Sequence, residues 1–114
     1  MELSSALQDG IMVVAATGDL NATSCNQVET ELTAQADAGH RWIVLDLGEV
    51  RYVSSAGLRV FLVSARKLAK AGAFVLARPT PSVAQILKMT GFDRIVQVEP
   101  SLEAAVATAR AKKN

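Results

Sequence analysis

The sequence predicts an α/β fold: a mixed, mainly parallel sheet in the order β-β-α-β-α-β-α-β-α, with helices packed mostly on one face. Three observations predict it. Short valine- and isoleucine-rich runs alternate with segments of helical period. Glycine or a capping residue stands at the junctions between them. The run Ile43 to Leu47 is nearly continuous in apolar residues, as in a strand covered on both faces. The 114 residues suit one domain, residues 1–114, and are short for two full helical layers, which favours helices mostly on one side.

Ile11 to Ala16, between Gly10 and Gly18, reads as a strand. Leu3, Ala6 and Leu7 place an edge strand before it, joined through an Asp9-Gly10 hairpin turn. Asp19-Leu20-Asn21 opens the first helix, with Asn21 as its cap. Cys25, Val28, Leu32 and Ala36 form its inner stripe, and Gly39 ends it. Trp42 to Leu47 is the central strand. A turn is expected at Gly48-Glu49, then a short apolar step at Tyr52-Val53.

The second helix carries Leu58, Phe61, Leu62, Ala65, Leu68 and Ala69 on one face, and Gly72 follows it. Lys67 and Lys70 sit where the helix dipole favours cations. Ala73 to Ala77 is a strand. Thr80 caps a third helix, with Pro81 at its first position and Val83, Ile86 and Leu87 inward as far as Gly91. Ile95 to Val98 is a last strand. Pro100-Ser101 opens a final helix with Leu102, Ala105, Val106 and Ala109 inward, and Lys112, Lys113 and Asn114 read as a frayed tail.

Composition narrows the function. Half the residues are hydrophobic and the net charge is +1, so no field holds nucleic acid or an anionic membrane. One cysteine and one histidine exclude an internal disulfide, a thiolate zinc cluster and a two-histidine metal site. The start Met1-Glu2-Leu3-Ser4-Ser5 is unlike a signal peptide, and no run approaches the roughly 20 apolar residues of a membrane span, so a cytoplasmic protein is expected. His40 reads as a loop residue, Cys25 as a small core hydrophobe and Trp42 as packing.

The junction Val53-Ser54-Ser55-Ala56-Gly57-Leu58 holds the chemistry. A strand end meets a helix start there, where amides are unpaired and the dipole end is positive. A serine at that point either caps the helix or carries an accessible hydroxyl that tolerates a phosphate. Gly57 admits a close backbone approach. The pattern is neither a nucleophile elbow nor a phosphate loop, having one glycine, no adjacent lysine and no histidine to activate a serine. Arg59, Val60, Val63, Arg66, Lys67 and Lys70 occupy the helix's other face, and Ser55 lies one turn before Arg59. Hydroxyl, two exposed valines and cations then make either a docking surface or an ordinary solvated face. Asp46, inside the central strand, caps the following loop's amides or serves the reactive edge. Asp19 caps the first helix or faces a partner.

Four segments in order resemble the STAS domain family, specifically the bacterial anti-sigma factor antagonists (anti-anti-sigma factors). They are Gly18-Asp19-Leu20-Asn21, Ile43-Val44-Leu45-Asp46-Leu47, Tyr52-Val53-Ser54-Ser55-Ala56-Gly57-Leu58 and Thr90-Gly91-Phe92-Asp93-Arg94-Ile95. The family's loop reads aspartate, phosphorylated serine, a small residue, glycine, leucine. Counted back from Gly57-Leu58, the resemblance makes Ser55 the phosphate acceptor. Ser54 replaces the aspartate and becomes an alternative acceptor.

The resemblance implies a non-enzymatic, partner-switching phosphoprotein that regulates transcription. Its unphosphorylated form binds an anti-sigma factor that is also a serine kinase of the histidine-kinase-like ATPase type, and this releases the sigma factor. Phosphorylation ends binding and a serine phosphatase restores it. No cofactor is implied for this chain; ATP and magnesium belong to the kinase. The partner-binding residues would be Asp19, Asn21, Ser54, Ser55, Ala56, Gly57, Arg59, Val60 and Val63. Alternative readings are an unphosphorylated STAS accessory subunit of a transporter or other signalling complex, a small serine hydrolase, and a ligand sensor.

Overall fold

The computed structural model describes residues 1–113. Five strands, β1 (Glu2–Gln8), β2 (Ile11–Leu20), β3 (Trp42–Val53), β4 (Ala73–Ala77) and β5 (Gln97–Glu99), lie in the order β1-β2-β3-β4-β5. The first pair is antiparallel and the other three pairs are parallel. The helices are α1 (Cys25–Asp37), α2 (Ser55–Leu68), α3 (Pro81–Met89) and α4 (Leu102–Lys113), with a 3-10 turn at Phe92–Arg94. The element order is the expected one. Asp9 and Gly10 both take positive φ, 53° and 81°, as the tight hairpin between β1 and β2 requires.

Alternation along the parallel strands fills two cores. Met12, Val14, Ile43, Leu45 and Leu76 face α1, α2 and α3, together with Val28, Phe61 and Val83. Ile11, Val13, Val44, Val75 and Ala77 point the other way and are covered by Ala105, Val106 and Ala109 of α4. Three of the four helices share one face, in keeping with helices packed mostly on one side, and α4 covers the other. Strands apolar on both faces require a cover on each. Lys112 and Lys113 belong to α4 rather than to a frayed tail: the Lys113 ammonium lies 5.2 Å from the Trp42 ring centroid and donates to the Gly10 carbonyl at 3.3 Å. Asn114 lies outside the described residues.

Two strands run further than their sequence suggests. β2 does not stop at Ala16; Gly18 pairs with Val50 and Leu20 with Val53, through two register shifts. β3 does not turn at Gly48-Glu49: it pairs on with β2, Thr17 with Glu49 and Gly18 with Val50, across a register shift near which the Asp46 carboxylate accepts the Gly48 N–H at 3.0 Å. The extension delivers the chain directly to α2.

The first helix begins at Cys25 with Ser24, not Asn21, at its N-cap position. Asn21 serves the turn before it, its side-chain oxygen accepting from the amides of Thr23 and Ser24 at 2.9 and 3.0 Å. Thr80 does cap α3, accepting from the Val83 N–H at 3.5 Å while donating to the Val50 carbonyl at 3.1 Å. Ile95 is exposed before the short β5, and Ala69 lies beyond α2 and is exposed.

Candidate functional site

β3 ends at Val53 and α2 begins at Ser55, leaving Ser54 as the hinge residue with extended backbone (φ −82°, ψ 174°). The Ser54 hydroxyl oxygen accepts from the Gly57 N–H at 3.3 Å, so Ser54 is the N-cap. Its own N–H donates to the Leu20 carbonyl at 2.8 Å, which ties the mouth of α2 to the end of β2. Asp19 and Asn21 flank Leu20 and so lie beside this mouth. Asp19 makes a 3.5 Å ion pair with the well-exposed Arg51, a contact worth little in water.

Ser55, the first helical residue, is exposed. Among the described residues its hydroxyl takes part in no side-chain hydrogen bond, unlike that of Ser54. Helix geometry leaves the first amides of α2 without intrahelical acceptors, and the dipole places positive potential at the same point. Ser55 and Ala56 open onto a groove of about 510 Å³ between α2 and α1. Arg59, Val60 and Val63 continue the α2 wall; Cys25, Asn26 and Glu29 form the α1 wall. Arg59 forms no ion pair among the described residues.

The expected exposure of Val60 is corrected. Val60 is 5 % exposed and belongs to the main core, because α1 packs against α2 along this side. Val63 is half-buried and Arg59 exposed. Gly57 is buried, and what approaches it is side chain rather than backbone: an added Cβ would lie 2.9 Å from Leu20 Cγ and from Val53 Cγ1. The α1 wall was not legible as part of the site, although Cys25 and Glu29 lie one turn apart and mark the same face.

A second polar arrangement lies at the C-terminal edge of the sheet. The Arg78 guanidinium donates to both oxygens of Asp46, at 2.7 and 3.0 Å. The hydrogen bond and charge of Asp46 raise the Arg78 pKa further above its ordinary value, so Arg78 stays charged. Gly48 leaves room for it: a Cβ there would fall 2.4 Å from the guanidinium carbon, so Arg78 would have to shift its hold on Asp46. Of the two readings of Asp46, the pair supports the loop-capping one, with Arg78 as a partner that no local pattern announced. Among the described residues no group of three histidine, cysteine or acidic side chains is placed to hold a metal. Among the described residues no helix is long and apolar enough to cross a membrane.

The model of the STAS domain family matches residues 3–105. The chain belongs to the STAS domain family. A Bordetella bronchiseptica relative named "Putative anti-sigma factor antagonist BtrV" is 42% identical over 108 residues, 94% of this chain and 93% of that protein. Among solved structures, an anti-sigma factor antagonist from Mycobacterium paratuberculosis superposes with a TM-score of 0.88 at 24% identity, over 96% of this chain and 93% of that one. The Bacillus cell-fate determinant SpoIIAA in its phosphorylated form gives 0.69 at 18% identity, over 94% and 98%. At these identities the two structures speak for the fold alone. The family model and the Bordetella relative place this STAS domain among the anti-sigma factor antagonists.

Proposed function

We propose that this STAS protein is a phosphorylation-switched, cytoplasmic anti-sigma factor antagonist. Its unphosphorylated form binds an anti-sigma factor that is itself a serine kinase and so frees the sigma factor. Phosphate transferred to Ser55 from the kinase's ATP ends the binding, and a serine phosphatase restores it. The observation that carries this reading is the exposed Ser55 hydroxyl at the mouth of α2, opening onto the α1–α2 groove. A phosphoserine brings about −1.5 to −2 charges at neutral pH. On a surface fitted to a partner that charge costs desolvation and repulsion without any refolding. A loss of ~3 kcal/mol weakens association more than a hundredfold.

Ser55 is favoured over Ser54 on physical grounds. Ser54 is half-buried and its oxygen holds the Gly57 N–H. Modifying it would disturb the cap, whereas Ser55 is free to react. The docking surface then comprises Ser55, Ala56, Arg59 and Val63 directly, Asp19 and Asn21 beside them, and Ser54, Gly57 and Val60 as its support.

Incubation with the kinase and ATP, followed by intact-mass analysis, tests the assignment. Wild type is expected to take up one phosphate per chain, and Ser55→Ala none. Ser54→Ala is expected to lose about 0.5–2 kcal/mol of stability through its cap and still be modified. Full modification of Ser55→Ala would move the acceptor elsewhere.

A further inference from the structure

Arg59 shares the groove with Ser55 and stands one helical turn after it on α2. At that spacing two side chains on a helix are neighbours, with roughly 5–6 Å between their Cβ atoms. The Cα–Cβ bonds of a helix tilt toward its N-terminus, so a long side chain covers the turn before its own. For Arg59 that turn is the one carrying Ser55. An anion one turn before a cation is also the favourable order of such a pair.

The other charges around the mouth of α2 are committed or distant. Arg51 is paired with Asp19 at 3.5 Å. Arg66, the next cation along α2, lies about 16 Å further along the axis, beyond the roughly 8 Å screening length of physiological salt. Arg59 is exposed and forms no ion pair among the described residues. Glu29 faces the groove from the α1 wall, beside Asn26 and Cys25, whose thiol donates to the Ala22 carbonyl at 3.4 Å. Of the first amides of α2, the Ser54 hydroxyl oxygen takes the Gly57 N–H and the Ser54 carbonyl takes the Leu58 N–H at 3.0 Å. Those of Ser55 and Ala56 stay open, as the first amides of a helix do.

We propose that the Arg59 guanidinium clasps the phosphate carried by Ser55 and is thereby a positioning residue of the switch. This rests on the acceptor reading above and names what holds the modified state. A guanidinium fork matches two phosphate oxygens. A phosphoserine exchanges its second proton at about pH 6. Arg59 and the open amides favour the dianion and lower that pKa. Glu29 across the groove favours the monoanion, and the opposite charges of Asp19 and Arg51 largely cancel. Arg59 acts through direct hydrogen bonds and Glu29 only across the width of the groove, so the lowering wins. The switch then keeps its full charge just above pH 6, where an unheld phosphoserine has partly lost it.

The test uses the full-length protein bearing phosphoserine at residue 55, installed by the kinase or during translation, and follows its phosphorus NMR shift through a pH titration. Arg59→Gln is expected to raise the phosphoserine pKa by roughly 0.3, and Arg59→Lys, which keeps the charge, to restore at least about half of the difference. Arg66→Gln, three turns on, is the control and should leave the pKa within about 0.1 of wild type. Circular dichroism checks that each variant is folded. Agreement of wild type and Arg59→Gln within about 0.1 would overturn the clasp and leave the Ser55 switch standing. A kinase reaction that leaves residue 55 unmodified, read by mass, would overturn the acceptor reading on which the clasp rests.

Discussion

Arg78→Ala is expected to lose about 3 kcal/mol of unfolding free energy. The side chain of Asp46 is 7% exposed and that of Arg78 47%. Removing the arginine strands a buried carboxylate with the Gly48 amide as its remaining partner. Removing Asp46 instead leaves a half-exposed guanidinium that water can reach, together with a Gly48 N–H lacking its acceptor. Asp46→Ala is therefore expected to cost less, on the order of 1–3 kcal/mol. The double variant should fall well short of the sum, since each single change already breaks the pair. Urea unfolding of the three variants measures this. Strictly additive losses would show that the pair does not hold the β3 extension.

Gly72→Ala is expected to be comparably damaging for a different reason. A Cβ at residue 72 would lie 2.0 Å from the Arg41 carbonyl oxygen and 2.8 Å from its carbon, both main-chain atoms. That oxygen accepts the Ala73 N–H at 3.0 Å, where β4 enters the sheet beside β3. Arg41 also holds the last carbonyls after α2. The backbone has to shift, and the strand entry and the helix end shift together. Such overpacking costs typically ~1–3 kcal/mol, and more against backbone. In a domain of this size that lowers the melting temperature by roughly 10 °C or more. Gly39→Ala is the control for conformation without crowding: φ there is +100°, but no atom lies within 4 Å of the added carbon. A smaller loss at Gly72 than at Gly39 would contradict the packing argument.

What the sequence disclosed follows the range of the forces involved. α2 was legible because Leu58, Phe61 and Leu68 repeat at the helical period, and Thr80-Pro81 marked the start of α3 because capping is local. The junction at Ser54 and Ser55 was legible for the same reason. The long ends of β2 and β3 were not. Gly18-Asp19 and Gly48-Glu49 are turn residues by local preference. Long-range pairing of Gly18 with Val50 and of Thr17 with Glu49 overrides that preference. The burial of Val60 depended on where α1 lies. The Arg78 partner of Asp46 stands 32 residues away, with no periodic signal to connect them. Asn21 was legible as a residue that holds free amides, and it does so for Thr23 and Ser24, but the turn it closes places the helix start at Cys25.

All of this converges on a single hydroxyl that carries or lacks a charge at the head of a cleft. The most direct measurement compares the affinity of the anti-sigma kinase for the unmodified protein and for the same protein bearing phosphoserine at residue 55. The account expects tight association of the first and a loss of more than about a hundredfold for the second, with superposable circular dichroism spectra. Equal affinities for the two forms would contradict it.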